Sequence, residues 1–531
     1  MQSHGCSDYS RTEEIPGGCR AGRCSRLDGV VESDLLTRLR ADLLTAVYTV
    51  DRVQQLWGPD ADAALHRGDR VLALRKARAA GPEPVALLAR LFGLHDELTG
   101  PELAAAFPAL GVEGASALGL VDEAGRARVD VGPLTALDSA GAAEWWIVSD
   151  LDEHALGGAL PPGHVLGVGG ASLTLAGLQP TTPVGSVLDL GTGCGVQSLF
   201  AARGAERVVA TDVSRRALEL AGATFALSAV DTVELRHGDL YVPVTGERFD
   251  RIVSNPPFVI TPRREGVPLY EYRDGGRVGD GIVEEVVRGA ADHLVPGGTA
   301  HLLGNWEYRD DEDGLSRVAR WLELAGLDGW VIERERQSPA EYAATWIRDG
   351  GTRAGTPEFE RLAGEWIDDF AARGVVGVGF GYLVLRHPAP GTATLRRTEV
   401  VASPRPDASA GLGDTLLAGF AMHDRLAPLD DAALAELRCA VAGDVTEERH
   451  YWPGAEGPTV IRLRQGGGLA REIEADAALA GFVGASDGGL SVGEIASALA
   501  HLLEVDEGEL REQLLPQVRE LLVTGLLTLS E

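Results

Sequence analysis

From Ser186 onward the chain alternates between short apolar runs and helical patterns, and a new apolar run starts about every twenty residues. A strand, a helix and a second strand form a crossover unit, and successive units build a parallel sheet with helices on its faces. The alternation therefore predicts an α/β fold. The predicted strands of its first part are 187–190, 207–211, 232–236 and 251–254.

The alternation continues with a helical pattern at 282–293 and a strand at 300–304. Two further strand candidates begin at Trp330 and Val376, and we predict that they complete the sheet as a hairpin. Helical patterns between these two strands are interpreted as a cap inserted into the hairpin. They lie at 342–348 and 358–372.

The region before the sheet is helical. Apolar residues recur at three and four positions between Asp34 and Arg78, which is the helical period. Three short helical patterns and an alternating run at 126–131 follow, and together they resemble the helices and wing of a winged-helix domain. The segment 112–119, which would read DNA bases, carries no Arg or Lys, so we favour protein contact or packing over DNA binding. The three patterns are 84–92, 99–107 and 112–118.

The composition changes after residue 387. Residues 388–413 are rich in Pro, Ala and Gly and are interpreted as a surface connection. Helical patterns at 491–500 and 510–524 resemble a second winged-helix-like module, which is acidic and so favours protein contact. We predict a flexible leader, a helical winged-helix-like domain, an α/β domain and a C-terminal domain, at 1–28, 29–140, 141–390 and 391–531.

Length and charge limit the function classes. A chain of 531 residues is longer than a single domain with one hydrophobic core usually is, so we predict several domains. The net charge of -31 disfavours a nucleic-acid substrate, because proteins that bind phosphate backbones more often carry a basic face. Arginines that follow residue 258 can nevertheless make a substrate entrance locally positive. These are Arg263, Arg264, Arg273, Arg277 and Arg288.

The sequence also bears on location and metals. No apolar run is long enough to span a bilayer and the polar start lacks the plan of a signal peptide, so we expect a cytoplasmic protein without a membrane partner. His4, Cys6, Cys19 and Cys24 could supply four zinc ligands, but their spacing matches no common zinc finger. We therefore interpret this segment as a flexible leader and expect no metal.

The first predicted strand ends in Asp189-Leu-Gly-Thr-Gly-Cys-Gly. Glycines at such a turn let the backbone approach a ligand where side chains would block it. The next strand ends at Asp212, where a carboxylate can bind a ribose diol, and the third unit ends at Asp239-Leu240, where a side chain can meet an adenine amine. Together they predict a nucleotide-like cofactor. The Gly-rich stretch at 165–174 either covers this cofactor or belongs to a strand pair.

The fourth predicted strand ends in Asn255-Pro-Pro-Phe at the same edge of the sheet. The side-chain oxygen of Asn255 and the carbonyl of Pro256 can accept two hydrogen bonds from one amino group. The delocalised nitrogen of an amide or aromatic amine is a poor nucleophile, so positioning supplies much of the catalysis. Phe258 can stack on a flat acceptor group. These residue types predict methyl transfer to nitrogen.

These motifs resemble those of class I S-adenosylmethionine-dependent methyltransferases, in the amino-methylating branch marked by Asn-Pro-Pro-Phe or Tyr. The resemblance covers residues 186–306 and implies a Rossmann-like, mostly parallel seven-stranded sheet with S-adenosylmethionine as cofactor. It implies that the glycines bound the methionine part, Asp212 binds ribose and Asp239 contacts adenine. The implied cofactor residues are Asp189, Gly191, Thr192, Gly193, Gly195, Asp212, Asp239, Leu240 and Asn255, and the implied acceptor residues are Asn255, Pro256 and Phe258.

Two branches of this family fit the acceptor side. The stretch from Tyr272 to Ile282 looks like the corresponding stretch of glutamine-N5 methyltransferases that act on release factors. Phe258 is commoner in the guanine-N2 methyltransferases of ribosomal RNA. We predict an N-methyltransferase with a protein glutamine as its preferred acceptor. The alternatives are a base of ribosomal or transfer RNA (guanine N2 or adenine N6), a peptide or small molecule, and a binding protein that keeps the fold without turnover.

Overall fold

The computed structural model describes residues 25–138, 141–156, 160–270, 272–392, 394–401 and 411–530. The predicted leader, residues 1–28, lies outside this part of the chain except for its end, which belongs to the first helix. The candidate zinc ligands His4, Cys6, Cys19 and Cys24 also lie outside it. Within it, no helix combines the length and the apolar character that crossing a bilayer requires.

Helices fill the N-terminal region, as the spacing of its apolar residues predicts. A hairpin of β1 and β2 follows, and β1 begins at Asp130, later than the predicted run. The two strands of this hairpin are antiparallel, and the buried Trp145 and Trp146 of β2 lie opposite Leu134 and Pro133 of β1. The winged-helix character of this region stays a prediction. The elements are α1 (Ser25–Thr45), α2 (Val50–Leu65), α3 (Val71–Ala79), α4 (Pro84–Leu88), α5 (Gly100–Ala106), α6 (Gly111–Ala117), β1 (Asp130–Asp138) and β2 (Gly141–Ser149).

A mainly parallel sheet with helices on its faces forms the centre of the molecule, in agreement with the predicted α/β fold. Its strands are β3 (Val184–Leu190), β4 (Ala205–Asp212), β5 (Val233–His237), β6 (Phe249–Ser254), β7 (Leu294–Arg309), β8 (Asp328–Gln337), β9 (Val375–Arg386) and β10 (Arg396–Val400). They lie in the order β10-β8-β9-β7-β6-β3-β4-β5, and β9 is antiparallel to both of its neighbours. The helices are α7 (Glu153–Leu156), α8 (Gly170–Leu178), α9 (Val196–Ala201), α10 (Arg215–Ser228), α11 (Gly281–His293), α12 (Gly314–Ala325), α13 (Pro339–Asp349) and α14 (Pro357–Ala372).

In the described residues this sheet has eight strands, whereas seven were predicted. The additional strand, β10, pairs in parallel with β8 and lies inside the segment that we interpreted as a surface connection. Its side chains are held by charge: Glu399 accepts hydrogen bonds from Arg397 at 3.0 Å and from Arg471 at 2.6 and 2.7 Å. Because these residues do not alternate between apolar and polar, the sequence pattern does not reveal the strand.

The predicted cap is formed by α13 and α14, between β8 and β9. Its inner face is aromatic, and the ring of Tyr342 lies 5.5 Å from Phe380 and 5.8 Å from Phe370. The Tyr342 hydroxyl also accepts hydrogen bonds from the backbone N–H of Ile260 at 2.9 Å and from the amide of Asn305 at 2.7 Å. The cap is therefore packed on the turn that follows β6.

The C-terminal domain contains the helices predicted near residues 491–500 and 510–524, as α18 and α19. Its described strands form two small sheets, in the orders β15-β11-β16 and β12-β13-β14. Its winged-helix character stays a prediction. The elements are α15 (Leu412–Leu426), α16 (Asp431–Ala435), β11 (Arg438–Val441), β12 (Val445–His450), β13 (Val460–Gln465), β14 (Glu472–Ala475), α17 (Ala477–Ala485), β15 (Asp487–Ser491), α18 (Val492–Leu503), α19 (Glu507–Val523) and β16 (Leu527–Leu529).

The C-terminal domain contacts the α/β domain through α15. A Cβ atom added at Gly413 would lie 2.2 Å from the carbonyl oxygen of Leu178 and 2.7 Å from the backbone nitrogen of Pro180. Asp414 accepts hydrogen bonds from the backbone N–H of Thr181 at 3.1 Å and from its hydroxyl at 2.8 Å. This contact fixes the chain at the end of α8.

We expect Gly413→Val to lower the free energy of unfolding by about 2 kcal/mol, because overpacking against atoms that cannot move aside costs roughly 1–3 kcal/mol. Urea unfolding followed by tryptophan fluorescence measures this loss. The matched change is Gly364→Ala, at an exposed position of α14 where no described atom lies within 4 Å of the added Cβ. That change should raise the free energy of unfolding by about 0.5–1 kcal/mol. Equal losses in both variants would contradict the tight contact at Gly413.

Candidate active site

A cavity of about 510 Å³ lies at the carboxyl ends of β3 to β6, the edge where open parallel sheets bind ligands. Small-molecule sites usually measure roughly 300–1,000 Å³. The walls come from the turns after these strands, from residues 272–277 and from residues 164–172. The predicted glycine turn, both predicted aspartates after β4 and β5, and the Asn255-Pro256 turn thus surround one cavity.

The glycine turn after β3 forms the floor of one half of the cavity. Gly191 and Gly193 line the cavity with φ of +78° and +55°, a backbone region that favours glycine. A Cβ at either position would have no described atom within 4 Å, so it would project into the open space. Gly195 has a different part, because its Cβ would lie 2.7 Å from the ring of Phe225. It permits close packing of α9 and α10 and does not line the cavity in the described structure.

Asp189, predicted to contact the cofactor, lies beneath the glycine turn and is fully buried. One of its carboxylate oxygens accepts hydrogen bonds from the hydroxyls of Thr192 at 2.7 Å and Ser198 at 2.6 Å. Burial raises the pKa of Asp189 to about 6, while these two hydrogen bonds oppose the rise. Thr192 lines the cavity above it. The structure therefore places Asp189 as a support for the turn.

The raised pKa of Asp189 predicts a pH dependence of stability. Its stabilising contribution is complete below the unfolded pKa of about 3.8 and is lost as the pH rises through the folded pKa of about 6. The difference corresponds to roughly 3 kcal/mol. We expect Asp189→Asn, which does not titrate, to lose less stability than wild type between about pH 4 and pH 6.5. Urea unfolding across this range measures it, and parallel curves for the two proteins would contradict the burial argument.

Asp212, at the end of β4, is oriented by the glycine turn. Its carboxylate accepts hydrogen bonds from the backbone N–H groups of Gly193 at 2.9 Å and Ser214 at 2.8 Å, and it lines the cavity. Asp239 and Leu240 line the same cavity beyond β5, and Leu240 adopts a φ of +43°. The side chains predicted for ribose and adenine are thus brought to one wall.

Asn255 and Pro256, in the turn after β6, line the same cavity. The Oδ1 atom of Asn255 is enclosed and accepts no hydrogen bond from any described residue. The end of β6 is fixed beside the glycine turn, because the Ser254 hydroxyl donates to the carbonyl of Leu190 at 2.7 Å. An enclosed acceptor without a donor costs about 1–3 kcal/mol. The arrangement therefore suits a ligand that donates from an N–H group.

Phe258 lies elsewhere than predicted. Its ring is 6.5 Å from that of Trp346 in an edge-to-face contact, and its backbone pairs with Asp274 in an isolated bridge. Phe258 is not one of the described residues that line the cavity. The ring of Phe258, which we predicted to stack on the acceptor, thus packs against Trp346 of the cap.

The sequence analysis did not predict several polar residues of the cavity wall, among them His164, Tyr272 and Asp274. The His164 ring is buried 6.2 Å from that of Tyr272, and burial lowers the pKa of His164. In the stretch for which we predicted a cofactor cover or a strand pair, residues 165–172 line the cavity and run into α8, so no strand pair forms there, and the cofactor cover stays a prediction. Tyr272 and Asp274 lie in the stretch that carries the resemblance to glutamine methyltransferases, which was the available signal.

The arginines predicted to make the entrance positive are each paired with a carboxylate. Their side chains therefore bring little net positive charge to this part of the surface. Nor do the described residues contain a group of three or more His, Cys, Asp and Glu side chains arranged for a metal ion. The ion pairs are Arg263–Asp274, Arg264–Glu365, Arg273–Asp349, Arg277–Glu285 and Arg288–Glu284.

Comparison with protein families divides the chain into three matched segments. Residues 169–318 match the methyltransferase small domain. Residues 45–132 and residues 420–529 match two different domains of unknown function, DUF7059 and DUF7782. The segment with a described activity is therefore the one that contains the glycine turn and Asn255.

Curated proteins named as methyltransferases are similar to part of this chain. A ribosomal protein uL3 glutamine methyltransferase of Bradyrhizobium diazoefficiens is 33% identical over 162 residues, which cover 28% of this chain and 50% of the relative. A release factor glutamine methyltransferase of Gloeobacter violaceus is 38% identical, over 28% of this chain and 57% of the relative. A ribosomal RNA small subunit methyltransferase C of Escherichia coli is 36% identical, over 26% and 35%. The chain thus spans about half the length of the first relatives it matches.

Solved structures of methyltransferases also align with the central region. A T. thermophilus 16S rRNA N2-guanine methyltransferase in complex with AdoMet and guanosine is 20% identical, covers 50% of this chain and 53% of that chain, and has a TM-score of 0.28. The family match and the sheet together confirm the predicted α/β fold class of the central region, and S-adenosylmethionine, the predicted cofactor, is the one that the matched family uses. Residues 169–318 thus match the methyltransferase small domain, within an α/β sheet that continues to β10, and they lie between two segments that match domains of unknown function.

Proposed function

We propose that this chain transfers a methyl group from S-adenosylmethionine to a planar amide or amine nitrogen, and that a protein glutamine side chain is its preferred acceptor. The observation that carries the proposal is the enclosed Oδ1 of Asn255, for which no described residue is a donor. It lies in the same cavity as Gly191, Gly193 and Asp212. One cavity thus offers a place for a nucleoside and an acceptor for an N–H group.

The donor half of the cavity suits the cofactor. Gly191 and Gly193 leave open space at the turn, where any larger side chain would project into the ligand. Asp212, oriented by the N–H of Gly193, can accept hydrogen bonds from a ribose diol. S-adenosylmethionine would supply an electrophilic methyl group on a positively charged sulfur.

The acceptor half orients the nucleophile. Asn255 Oδ1 and the Pro256 carbonyl would accept the two N–H groups of one amide and direct its lone pair along the cavity. Enclosure strengthens these hydrogen bonds, because little water competes for them. Neither group is a strong base, so their contribution is positioning and polarisation.

Paired charges at the entrance favour a protein over RNA. An RNA substrate would need cations for its phosphates, yet Arg264, Arg273 and Arg277 already bind Glu365, Asp349 and Glu285. Breaking these pairs would subtract from the affinity for phosphate. The chain as a whole carries a net charge of -31, which adds a long-range repulsion.

Apolar side chains around the cavity point to the same acceptor class. Leu166 and Val213 line the cavity with exposed fractions of 45% and 57%, and Val278, next to the wall residue Arg277, is 66% exposed. Such side chains suit contact with a protein where they form one contiguous apolar patch. The relatives named as glutamine methyltransferases add support, whereas the relative that methylates ribosomal RNA keeps a base as the competing acceptor.

The acceptor can be identified by its label. The purified chain is incubated with tritiated S-adenosylmethionine and an extract of cells that do not produce this chain. One half of the labelled product is then treated with ribonuclease and the other half with protease. We expect label that protease releases and ribonuclease does not. Label that ribonuclease releases would overturn the protein preference and keep the methyltransferase assignment.

A binding protein without turnover is separated by calorimetry. We expect S-adenosylmethionine to bind the folded chain with measurable heat and to be consumed in the presence of the extract. Heat without any label in protein, RNA or small molecules would contradict the enzyme assignment. Absence of heat would contradict the cofactor site itself.

A further inference from the structure

We propose that Asp274 accepts a hydrogen bond from the methyl-acceptor substrate and thereby helps to select it. Asp274 lies in the loop after β6, lines the cavity and has a side chain that is 3% exposed. The inference rests on the proposed function, because it concerns the acceptor half of the same cavity. It adds a carboxylate to a site that Asn255 and Pro256 alone would define.

One oxygen of Asp274 is fixed by the protein. Oδ1 accepts hydrogen bonds from the backbone N–H of Gly276 at 2.8 Å and from the Arg263 guanidinium at 2.5 Å. Arg263 is itself held, since it donates to the carbonyl of Arg277 at 2.6 Å. The carboxylate therefore has a defined orientation before any ligand enters.

The second oxygen, Oδ2, is enclosed and has no hydrogen-bond donor among the described residues. Asn255, which lines the same cavity, has an Oδ1 atom that is likewise enclosed and without a donor among the described residues. A buried carboxylate oxygen normally has at least one donor, and leaving it unpaired is costly. Two enclosed acceptors in one cavity are explained together by a substrate that brings several N–H donors.

The loop cannot easily move Asp274 out of the wall. The neighbouring Arg273 donates to Asp349 at 2.6 Å and to the carbonyl of Trp346 at 2.8 Å, both in the cap. Its own carbonyl accepts the N–H of Val259 at 2.7 Å, just after the Asn255 turn. Asp274 and Asn255 are thus parts of one braced wall, with the Phe258–Asp274 bridge between them.

This arrangement defines the acceptor more closely than the Asn255 turn does. If both N–H groups of a glutamine amide bind Asn255 and Pro256, Asp274 remains for a further donor on the same substrate. A backbone N–H or a basic side chain next to the glutamine has the required chemistry. We therefore infer that the substrate is a peptide segment that presents a second donor beside the methylated amide.

Asp274→Asn tests the inference, because the amide oxygen can keep the bonds to Gly276 and Arg263 while an N–H₂ group replaces Oδ2. The probe is tritium transfer from S-adenosylmethionine to protein in the extract described above, measured as initial rate against extract concentration. We expect the rate at low extract to fall about 10- to 100-fold, the usual effect of losing a hydrogen bond to a charged group. The affinity for S-adenosylmethionine should change by less than about twofold, since Asp274 is bonded to Arg263 and Gly276 and lies outside the glycine turn that we propose holds the cofactor.

Asp130→Asn is the matched control. Asp130 also has an enclosed oxygen without a described donor, but it lies at the start of β1, outside the described cavity lining. We expect it to label protein as wild type does. Wild-type labelling by Asp274→Asn, or an equal loss of cofactor affinity, would overturn the inference alone. Absence of label with wild type would overturn the proposed function and the inference with it.

Discussion

Asn255→Ala is expected to lower the rate of methyl transfer by about 100- to 1,000-fold, the range seen when one preorganised polar group is removed from an active site. The variant loses the enclosed Oδ1 that we propose orients the acceptor nitrogen. Cofactor binding should persist, because the glycine turn and Asp212 are unchanged. Initial rates of tritium incorporation and calorimetry with S-adenosylmethionine measure the two effects separately.

Gln337→Ala is the matched control for this variant. Gln337 also carries an enclosed amide oxygen without a donor among the described residues, but it lies at the end of β8, outside the described cavity lining. We expect it to retain the wild-type rate. A rate for Asn255→Ala close to that of Gln337→Ala would remove Asn255 from the mechanism.

Gly193→Val is expected to weaken the binding of S-adenosylmethionine by about 100-fold. Its side chain would fill the open space at the turn, and relieving such an overlap costs roughly 1–3 kcal/mol or more. The φ of +55° adds strain, because a β-branched residue does not readily adopt it. Isothermal titration calorimetry at a pH where the protein is folded measures the loss.

Strain and steric overlap can be distinguished with Gly326→Val. Gly326 has a φ of +66° and, like Gly193, no described atom within 4 Å of its Cβ, but it ends α12 outside the described cavity lining. Both variants should lose stability, since both place valine at positive φ. Only Gly193→Val should lose cofactor affinity. A similar loss in both would show that the turn acts through stability and not through contact.

The core of the fold could be predicted because buried parallel strands leave a plain pattern. The strand predicted at 232–236 is β5 (Val233–His237), and the strand predicted at 251–254 lies within β6 (Phe249–Ser254). β10 was missed because ion pairs such as Glu399–Arg471 hold it in place, and ion pairs leave no periodic pattern of apolar residues in the sequence. The domain boundaries and the winged-helix modules stay predictions.

The candidate site was predictable where it coincides with strand ends. Gly193, Asp212 and Asn255 lie at or just after the ends of β3, β4 and β6, and the sheet brings them together. Asp274 and the position of the Phe258 ring could not be predicted, because both depend on contacts with a cap formed much later in the chain. The individual roles of these residues in catalysis stay predictions.

The insertion of the cap between β8 and β9 bears on how such a chain diversifies. Most of the wall around the proposed cofactor position comes from residues 190–240, whereas the loop that carries Asp274 is braced by α13. Insertions at the end of a hairpin can change while the strands beneath them keep their register. Related proteins could thus differ in the acceptor that they methylate through changes in α13 and α14, while the proposed cofactor site at the glycine turn stays the same.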